Sequence, residues 1–264
     1  NAAWAAFADA GEFSLYRVQG FRQVLADKAR DLAFGPGSAL AVLRSPSELV
    51  IAVLPAGSAA AELDALITAR VSCPFPVERL FGGTLLGLFG REELQFYSWE
   101  GRYVGRVEVE ARAVLWERNR AVIAAEKSFY VVALGEGEEP FELLAEVAEP
   151  LHSGCFCGSL FLYSTGPGRL CLLQGEQGHL LGTAAGPVTL LGYVANQNRL
   201  FLLDAALRVS SFRLSAQFVE AAERAGRGAL TAVGLEGLSG RERDLLSQLV
   251  EDPQLALELA ASPR

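Results

Sequence analysis

The chain has 264 residues, 51% of them hydrophobic and 20% charged, with a formal net charge of −8 and a sequence pI near 5.0. That is apolar enough for a large core and argues against disorder, while the acidic balance and the lack of any dense Lys/Arg block exclude a nucleic-acid groove. Apolar runs are broken by charge well before a membrane-spanning length, as by Arg44 and Glu48 in ALAVLRSPSELVIAVLP. Four cysteines are too few for a disulfide framework at this length, nothing at the N-terminus resembles a signal peptide, and a reducing cytosolic compartment is the simpler reading. The chain begins NAAWAAF and contains no methionine, which suggests a piece excised from a longer protein with further units upstream.

In chain order, residues 1–54 read as strands already in progress. AWAAFAD, EFSLYRVQ and FRQVLAD are short runs punctuated by Gly11 and Gly20, too often for a helix. ARDLAFGPG ends in a Gly35-Pro36-Gly37 turn, and ALAVLRS with ELVIAVLP forms a hairpin around Ser45-Pro46-Ser47. Residues 55–70 fit a short helix or an edge strand near Leu66-Ile67-Thr68 equally well, and Pro74 and Pro76 end it.

From Val77 to Ser215 the chain repeats. FGGTLLGLF, AVLWERNRAVIAAE, GCFCGSLFLYS and VTLLGYVANQ are successive first blocks. LQFYSW, SFYVVAL, RLCLLQG and RLFLLDA follow as second blocks, and YVGRVEVEA, FELLAEVAE, HLLGTAAG and RVSSFRLS as third blocks. The landmarks Phe81, Trp116, Phe156 and Leu190 are 35, 40 and 34 residues apart. Strand-sized runs at this period predict an antiparallel unit of three or four strands repeated around an axis, the pattern of propeller blades. Gly82-Gly83 is expected where inner strands converge and a side chain would be crowded. FELLAEV has helical propensity, but its place in the repeat predicts a strand. The loop GEGEEP, residues 135–140, is the expected exposed or disordered tip. Gly166-Pro167-Gly168, Asn196-Gln197-Asn198 and Asp204 to Leu207 are read as turns.

After Arg213 the pattern becomes helical. Phe218, Ala221, Ala222 and Ala225 share a helix face, and Ala229 to Leu235 could form a second short helix. Ser239 with Glu242 reads as a capping box before Leu245, Leu246, Leu249 and Val250, and Asp252-Pro253 restarts a helix, DPQLALELA. The fold class is therefore mainly β with a small helical tail. A partial WD40-like β-propeller of about four to five blades occupies residues 1–215, and the start of an α-solenoid occupies 216–264.

Little in the sequence points to chemistry. His152, Cys155, Cys157 and Cys171 form the one metal-like grouping, but C-x-C is tighter than structural zinc spacing and buried structural cysteines are the plainer reading. His152 and His179 sit in no nucleophile frame. Glu92-Glu93 and Glu138-Glu139 read as solvated loop charge. Gly82-Gly83 is no phosphate loop, since no Gly-Lys-Ser/Thr follows. Trp4, Trp99 and Trp116 are expected at strand positions, as wedges between units. No catalytic, cofactor-binding or metal residue is assigned, and no cofactor.

The blocks carry a resemblance. FGG-x-LLG (Phe81 to Gly87), L-x-FY-x-W (Leu94 to Trp99), Leu115-Trp116, E-x-SFYVV (Glu126 to Val132), FELLAEV, LLGY (Leu190 to Tyr193) and NRLFLLD (Asn198 to Asp204) resemble the second β-propeller of the coatomer β′ family, over roughly residues 12–212. DPQLALELA is similar to the start of that family's solenoid. The chain departs from the family in a compressed segment before DPQLALELA, in a short acidic loop, and in CFCGS where the family has a block like LWVGD.

The resemblance implies a non-enzymatic scaffold of the COPI vesicle coat, acting in retrograde Golgi-to-endoplasmic-reticulum and intra-Golgi transport. It implies other coatomer subunits as partners, α-coatomer especially, and recruitment to membranes through the assembly by a small GTPase. It places the protein in the cytoplasm and peripherally on Golgi and COPI-coated vesicle membranes, with no nucleic acid partner and no transmembrane segment. The alternatives are a related propeller–solenoid trafficking scaffold such as α-coatomer, or a free-standing propeller that binds a ligand or catalyses a reaction.

Overall fold

The computed structural model describes residues 4–9, 11–19, 21–54, 62–135, 140–158, 160–225 and 238–249. The GEGEEP tip lies mostly outside the described residues, as do the helix expected at Ala229 to Leu235, Val250 and DPQLALELA.

The described strands form six sheets in chain order. The first is β1 (Trp4–Asp9), β2 (Glu12–Arg17) and β3 (Arg22–Lys28). The second is β4 (Asp31–Phe34), β5 (Ala39–Ser45), β6 (Glu48–Val53) and β7 (Ile67–Ser72). The third is β8 (Arg79–Phe81), β9 (Leu86–Gly90), β10 (Glu93–Tyr97) and β11 (Tyr103–Val107). The fourth is β12 (Ala113–Glu117), β13 (Arg120–Ala124), β14 (Phe129–Leu134) and β15 (Phe141–Val147). The fifth is β16 (Ser153–Cys157), β17 (Leu160–Ser164), β18 (Arg169–Gln174) and β19 (Gln177–Thr183). The sixth is β20 (Val188–Val194), β21 (Arg199–Asp204) and β22 (Val209–Arg213). Each sheet is a meander whose strand order follows the sequence. Such neighbour-to-neighbour pairing needs only short turns.

The landmarks Phe81, Trp116, Phe156 and Leu190 fall on β8, β12, β16 and β20, the first strands of successive sheets. The period read from the sequence is therefore the sheet-to-sheet period. The sixth sheet breaks the block correspondence. Its second block, RLFLLDA, is the second strand rather than the third, so this sheet has three strands where the three before it have four. The two possibilities held for residues 55–70 both occur in the part that is described, as a four-residue helix α1 (Leu63–Leu66) running straight into β7. FELLAEV is strand β15. Arg106, Glu108 and Glu110 are exposed while Val107, Val109 and Ala111 are half-buried or buried, although β11 ends at Val107.

Two compact units divide the chain. The first holds residues 1–126 and 131–143, the second 127–130 and 144–264. In the first unit, Leu40, Val42, Val50 and Ala52 of the second sheet meet Trp4, Phe13, Leu15 and Leu25 of the first sheet in one apolar cluster. The opposite face of the second sheet, through Ala41, Leu43, Leu49 and Ile51, meets Leu80, Leu86, Leu88 and Tyr97 of the third. Both faces of β5 and β6 are thus buried, which is why they read as continuous apolar runs rather than alternations. Each fully buried Leu, Val or Ile contributes on the order of 1.5–3 kcal/mol.

The first strands of the second and third sheets lie side by side, as do those of the fifth and sixth, and each pair is joined by polar side chains. In the first unit, Asp31 at the head of β4 accepts the Leu80 N–H of β8 at 2.7 Å. In the second unit, Ser153 at the head of β16 accepts the Leu190 N–H of β20 at 2.8 Å, while Ser164 donates to the Val188 carbonyl at 2.6 Å. The Gly82-Gly83 step after β8 fits the same seam. A Cβ on Gly82 would strike the Phe34 carbonyl of β4, and one on Gly83 would strike the Trp116 indole.

In the second unit, α2 (Ala216–Ala225) and α3 (Gly240–Leu249) pack onto the fifth and sixth sheets.

Gly82→Ala is expected to destabilise the protein by roughly 1–3 kcal/mol, the usual cost of overpacking against fixed backbone. Gly166→Ala, whose Cβ would meet nothing, should shift stability by less than about 0.5 kcal/mol. Urea denaturation of both variants measures the contrast.

Candidate functional site

The metal-like grouping is taken apart by strand geometry. Cys155 faces Leu162 and Cys157 faces Leu160 across the β16–β17 ladder, and both cysteines turn toward the apolar cluster under α2 and α3. Cys171 pairs with Tyr163 instead, one residue out of phase, and so lies on the other face of the same sheet. A four-stranded sheet separates it from the other two. His152 precedes β16 and its Nε2 lies 3.4 Å from the Thr189 hydroxyl. Among the described residues no group of three or more His, Cys, Asp or Glu is placed to hold a metal ion. All four cysteines are free thiols.

Burial decides their chemistry. It pushes the Cys155 thiol up to about 12, with Cys157 beside it adding to the effect. Burial also raises Cys171 and Cys73. A thiol held protonated is a poor nucleophile and a poor ligand. Burial lowers His179, on β19, so its imidazole is neutral. Glu93 accepts a hydrogen bond from Gln95 at 2.7 Å, and Glu92 sits exposed in the β9–β10 turn with φ 66°. Glu138-Glu139 lie outside the described residues.

Two of the three tryptophans stand on strands. Trp4 is buried in β1, and Trp116 of β12 meets the Phe96 ring edge-on at 5.6 Å. Trp99 departs from expectation, because it lies in the β10–β11 turn. Its indole N–H donates to the Gly83 carbonyl at 3.0 Å, and its ring fills the place a Cβ on Gly35 would take.

The arrangement with the clearest architectural role is the seat of the two helices. Phe218, Ala221, Ala222 and Ala225 of α2 are buried with Leu245, Leu246 and Leu249 of α3 against Leu160, Leu162 and Leu172. Small alanines let α2 approach the sheet closely, and Phe218 is the large anchor, 1% exposed. Ser215 caps α2 by accepting the Phe218 N–H at 3.0 Å. The capping box expected at the start of α3 is present, since Glu242 accepts the Ser239 N–H at 2.9 Å and its hydroxyl at 2.7 Å. The other oxygen of Glu242 accepts the Ser215 N–H at 3.2 Å. One carboxylate therefore ties the starts of both helices. Desolvation opposes its charge, but the hydrogen bonds from Ser215 and Ser239 outweigh it and hold Glu242 below the ordinary carboxylate value. At the far end, Gln174 of β18 donates to the Leu249 carbonyl at 2.8 Å.

Sequence reasoning found the capping box and the face of α2. It missed the second role of Glu242, and the seam residues Asp31 and Ser153. The available signal was a polar residue at the head of a first strand, which is too common to single out.

Repeated antiparallel meanders, two pairs of them joined at their first strands, with a small helical region seated on the last two sheets, make a mostly β protein of propeller-like type. The family described as the COPA/B second β-propeller matches residues 1–204, and the chain belongs to that family. Members of this family are non-catalytic scaffolds. Coatomer subunit β′-2 of Oryza sativa subsp. japonica is 29% identical over 212 residues, covering 71% of this chain and 23% of the rice protein. A probable coatomer subunit β′ of Schizosaccharomyces pombe is 25% identical over 277 aligned positions, covering 95% of this chain and 33% of the yeast protein. The chain thus spans about a quarter to a third of the length of these relatives. Among solved structures, Kluyveromyces lactis Hsv2 superimposes with a TM-score of 0.59 at 10% identity, over 82% of this chain and 72% of that one. A chain of the mitotic checkpoint complex gives 0.58 at 10% identity, over 80% and 71%. At that identity the likeness is one of fold alone.

Two outcomes check this description. Cys155 releases its proton near 9 when unfolded and near 12 when folded, so between those values the unfolded state holds fewer protons and stability falls as pH rises. Cys155→Ala should remove about 2 kcal/mol of the loss between pH 8 and pH 10.5, read from urea midpoints. Glu242→Ala should weaken the helical seat by roughly 1–2 kcal/mol, read from urea midpoints. Because hydrogen bonds hold the folded Glu242 value below the ordinary 4.5, its stabilisation is present above that value and is lost as pH falls through the depressed folded value, so progressive acidification should bring the parent's urea midpoint toward that of the variant.

Proposed function

We propose that this chain is an architectural piece of coatomer subunit β′, within the coat that carries protein from the Golgi back to the endoplasmic reticulum and between Golgi cisternae. Family membership over residues 1–204 supports the coat assignment. The relatives cited above, both β′ subunits, support β′ over α. The observation that carries the architectural role is the helical seat. α2 and α3 are fixed to the fifth and sixth sheets by a shared core and by Glu242 and Gln174. Such a joint transmits orientation from a sheet body into whatever helices follow.

On this reading residues 1–215 are propeller, and residues 216–264 begin an α-solenoid. Partners are the other coatomer subunits, α-coatomer first, with membrane recruitment through the assembly by a small GTPase. The protein works in the cytoplasm and peripherally on Golgi and coated-vesicle membranes. No described helix is long and apolar enough to cross a membrane. A net charge of −8 disfavours direct attachment to anionic lipid or nucleic acid. The family description also covers α-coatomer, and that subunit is the second reading.

Affinity capture from lysate tests it. Full-length tagged protein should recover α-coatomer and the other coat subunits. A soluble Phe218→Asp, Leu246→Asp double variant should recover several-fold less, because both side chains sit in the helical seat. Recovery of β′ rather than α as the partner would select the second reading, and recovery of no coatomer subunit would overturn both.

A further inference from the structure

A cleft of about 630 Å³ opens between the second and third sheets of the first unit. It is walled by Pro36 and Val53 on one side and by the Ser98-Trp99-Glu100 turn on the other. The indole is fixed before any ligand arrives, since its N–H is bonded to Gly83 and its ring is seated on Gly35. The turn is fixed as well. Ser98 Oγ accepts the Glu100 N–H at 3.2 Å and the Arg102 N–H at 3.3 Å, and the Gly101 N–H reaches the Ser98 carbonyl at 3.0 Å.

The capacity left in the cleft is specific. Thr68 and Thr84 also line it, but their hydroxyls are already given to the carbonyls of Ile51 and Arg118. Val53 is 51% exposed, an apolar side chain at a strand end with half its surface open. Glu100 is the one carboxylate of the lining, and the lining contains no basic side chain. Among the described residues Glu100 makes no ion pair, and Ser98 first, with Arg102 at longer range, keeps it ionised. What remains is an aromatic ring, an aliphatic wall, the Ser38 hydroxyl and a carboxylate with no ion pair among the described residues.

We propose that this cleft receives a single arginine side chain from an extended segment of a partner protein. The guanidinium lies on the Trp99 indole and pairs with Glu100, and the three-carbon stem covers Val53 and Pro36. A planar guanidinium serves both aromatic and carboxylate at once, which an ammonium does less well. The volume accommodates one long side chain with its flanking backbone. This site is independent of the coat assignment.

The test uses the full-length polypeptide and fluorescein-labelled Gly-Val-Arg-Val-Gly amide, read by fluorescence anisotropy. Saturable binding is expected, several-fold weaker for the lysine peptide and about tenfold weaker for the citrulline peptide, which keeps the shape and loses the charge. Glu100→Gln should weaken the arginine peptide about three- to tenfold, and Glu100→Lys or Val53→Arg should abolish binding. Both positions are exposed, so the melting temperature should not move, and Glu100→Gln serves if a bulkier change disturbs folding. Absence of saturable binding, equal binding of arginine and citrulline peptides, or binding indifferent to Glu100→Gln would overturn the proposal. Any of these with coatomer recovery intact would leave the coat reading standing.

Discussion

The close approach of backbone at Gly82 and Gly83 is the constraint on which the first unit depends. Gly82 lies against the Phe34 carbonyl of the second sheet. Gly83 lies against Trp116 of the fourth sheet and gives its carbonyl to Trp99 of the third. Three sheets therefore meet on two residues without side chains. A larger residue would push first strands apart, and the Asp31 bond to the Leu80 N–H would be lost with them. Trp116 fills the space that Gly83 leaves and Trp99 that of Gly35, so small and large residues are complementary parts of one seam.

The seams and the cores do different work. The apolar clusters supply most of the stabilisation, because each buried aliphatic side chain contributes more than a typical hydrogen bond, which nets about 1 kcal/mol. Apolar faces alone would tolerate sliding of one sheet past the next. A carboxylate or hydroxyl taking one particular backbone N–H does not. Asp31 with Leu80 and Ser153 with Leu190 set the register of adjoining first strands, one in each unit. Ser164, fully buried beside Ser153, extends the second seam to the Val188 carbonyl.

The same logic accounts for the muted chemistry of the chain. Cys155, Cys171 and Cys73 are kept protonated by burial. Its best-organised ionised group, Glu242, is bound to the starts of two helices rather than turned toward a ligand. Charge is used here to fix geometry, as a scaffold requires. Glu100 differs because its carboxylate faces an open aromatic cleft and makes no ion pair among the described residues.

The sequence by itself determined the repeat, the turn positions, the capping box at Ser239 and Glu242, and the buried face of α2. These depend on neighbours along the chain, where period and turn chemistry act directly. It also placed Phe81, Trp116, Phe156 and Leu190 on equivalent strands. Only the tertiary structure decided that, among the described residues, the sixth sheet has three strands, because that depends on a pairing partner and not on the strand itself. Only the fold separated Cys171 from Cys155 and Cys157, since the face a strand residue takes follows from ladder register. Trp99 moved from an expected strand into a turn, and Asp31, Ser153 and Glu242 acquired partners 49, 37 and 27 residues away. Contacts at that separation leave no periodic trace in a single chain, so their geometry appears only when the sheets are assembled.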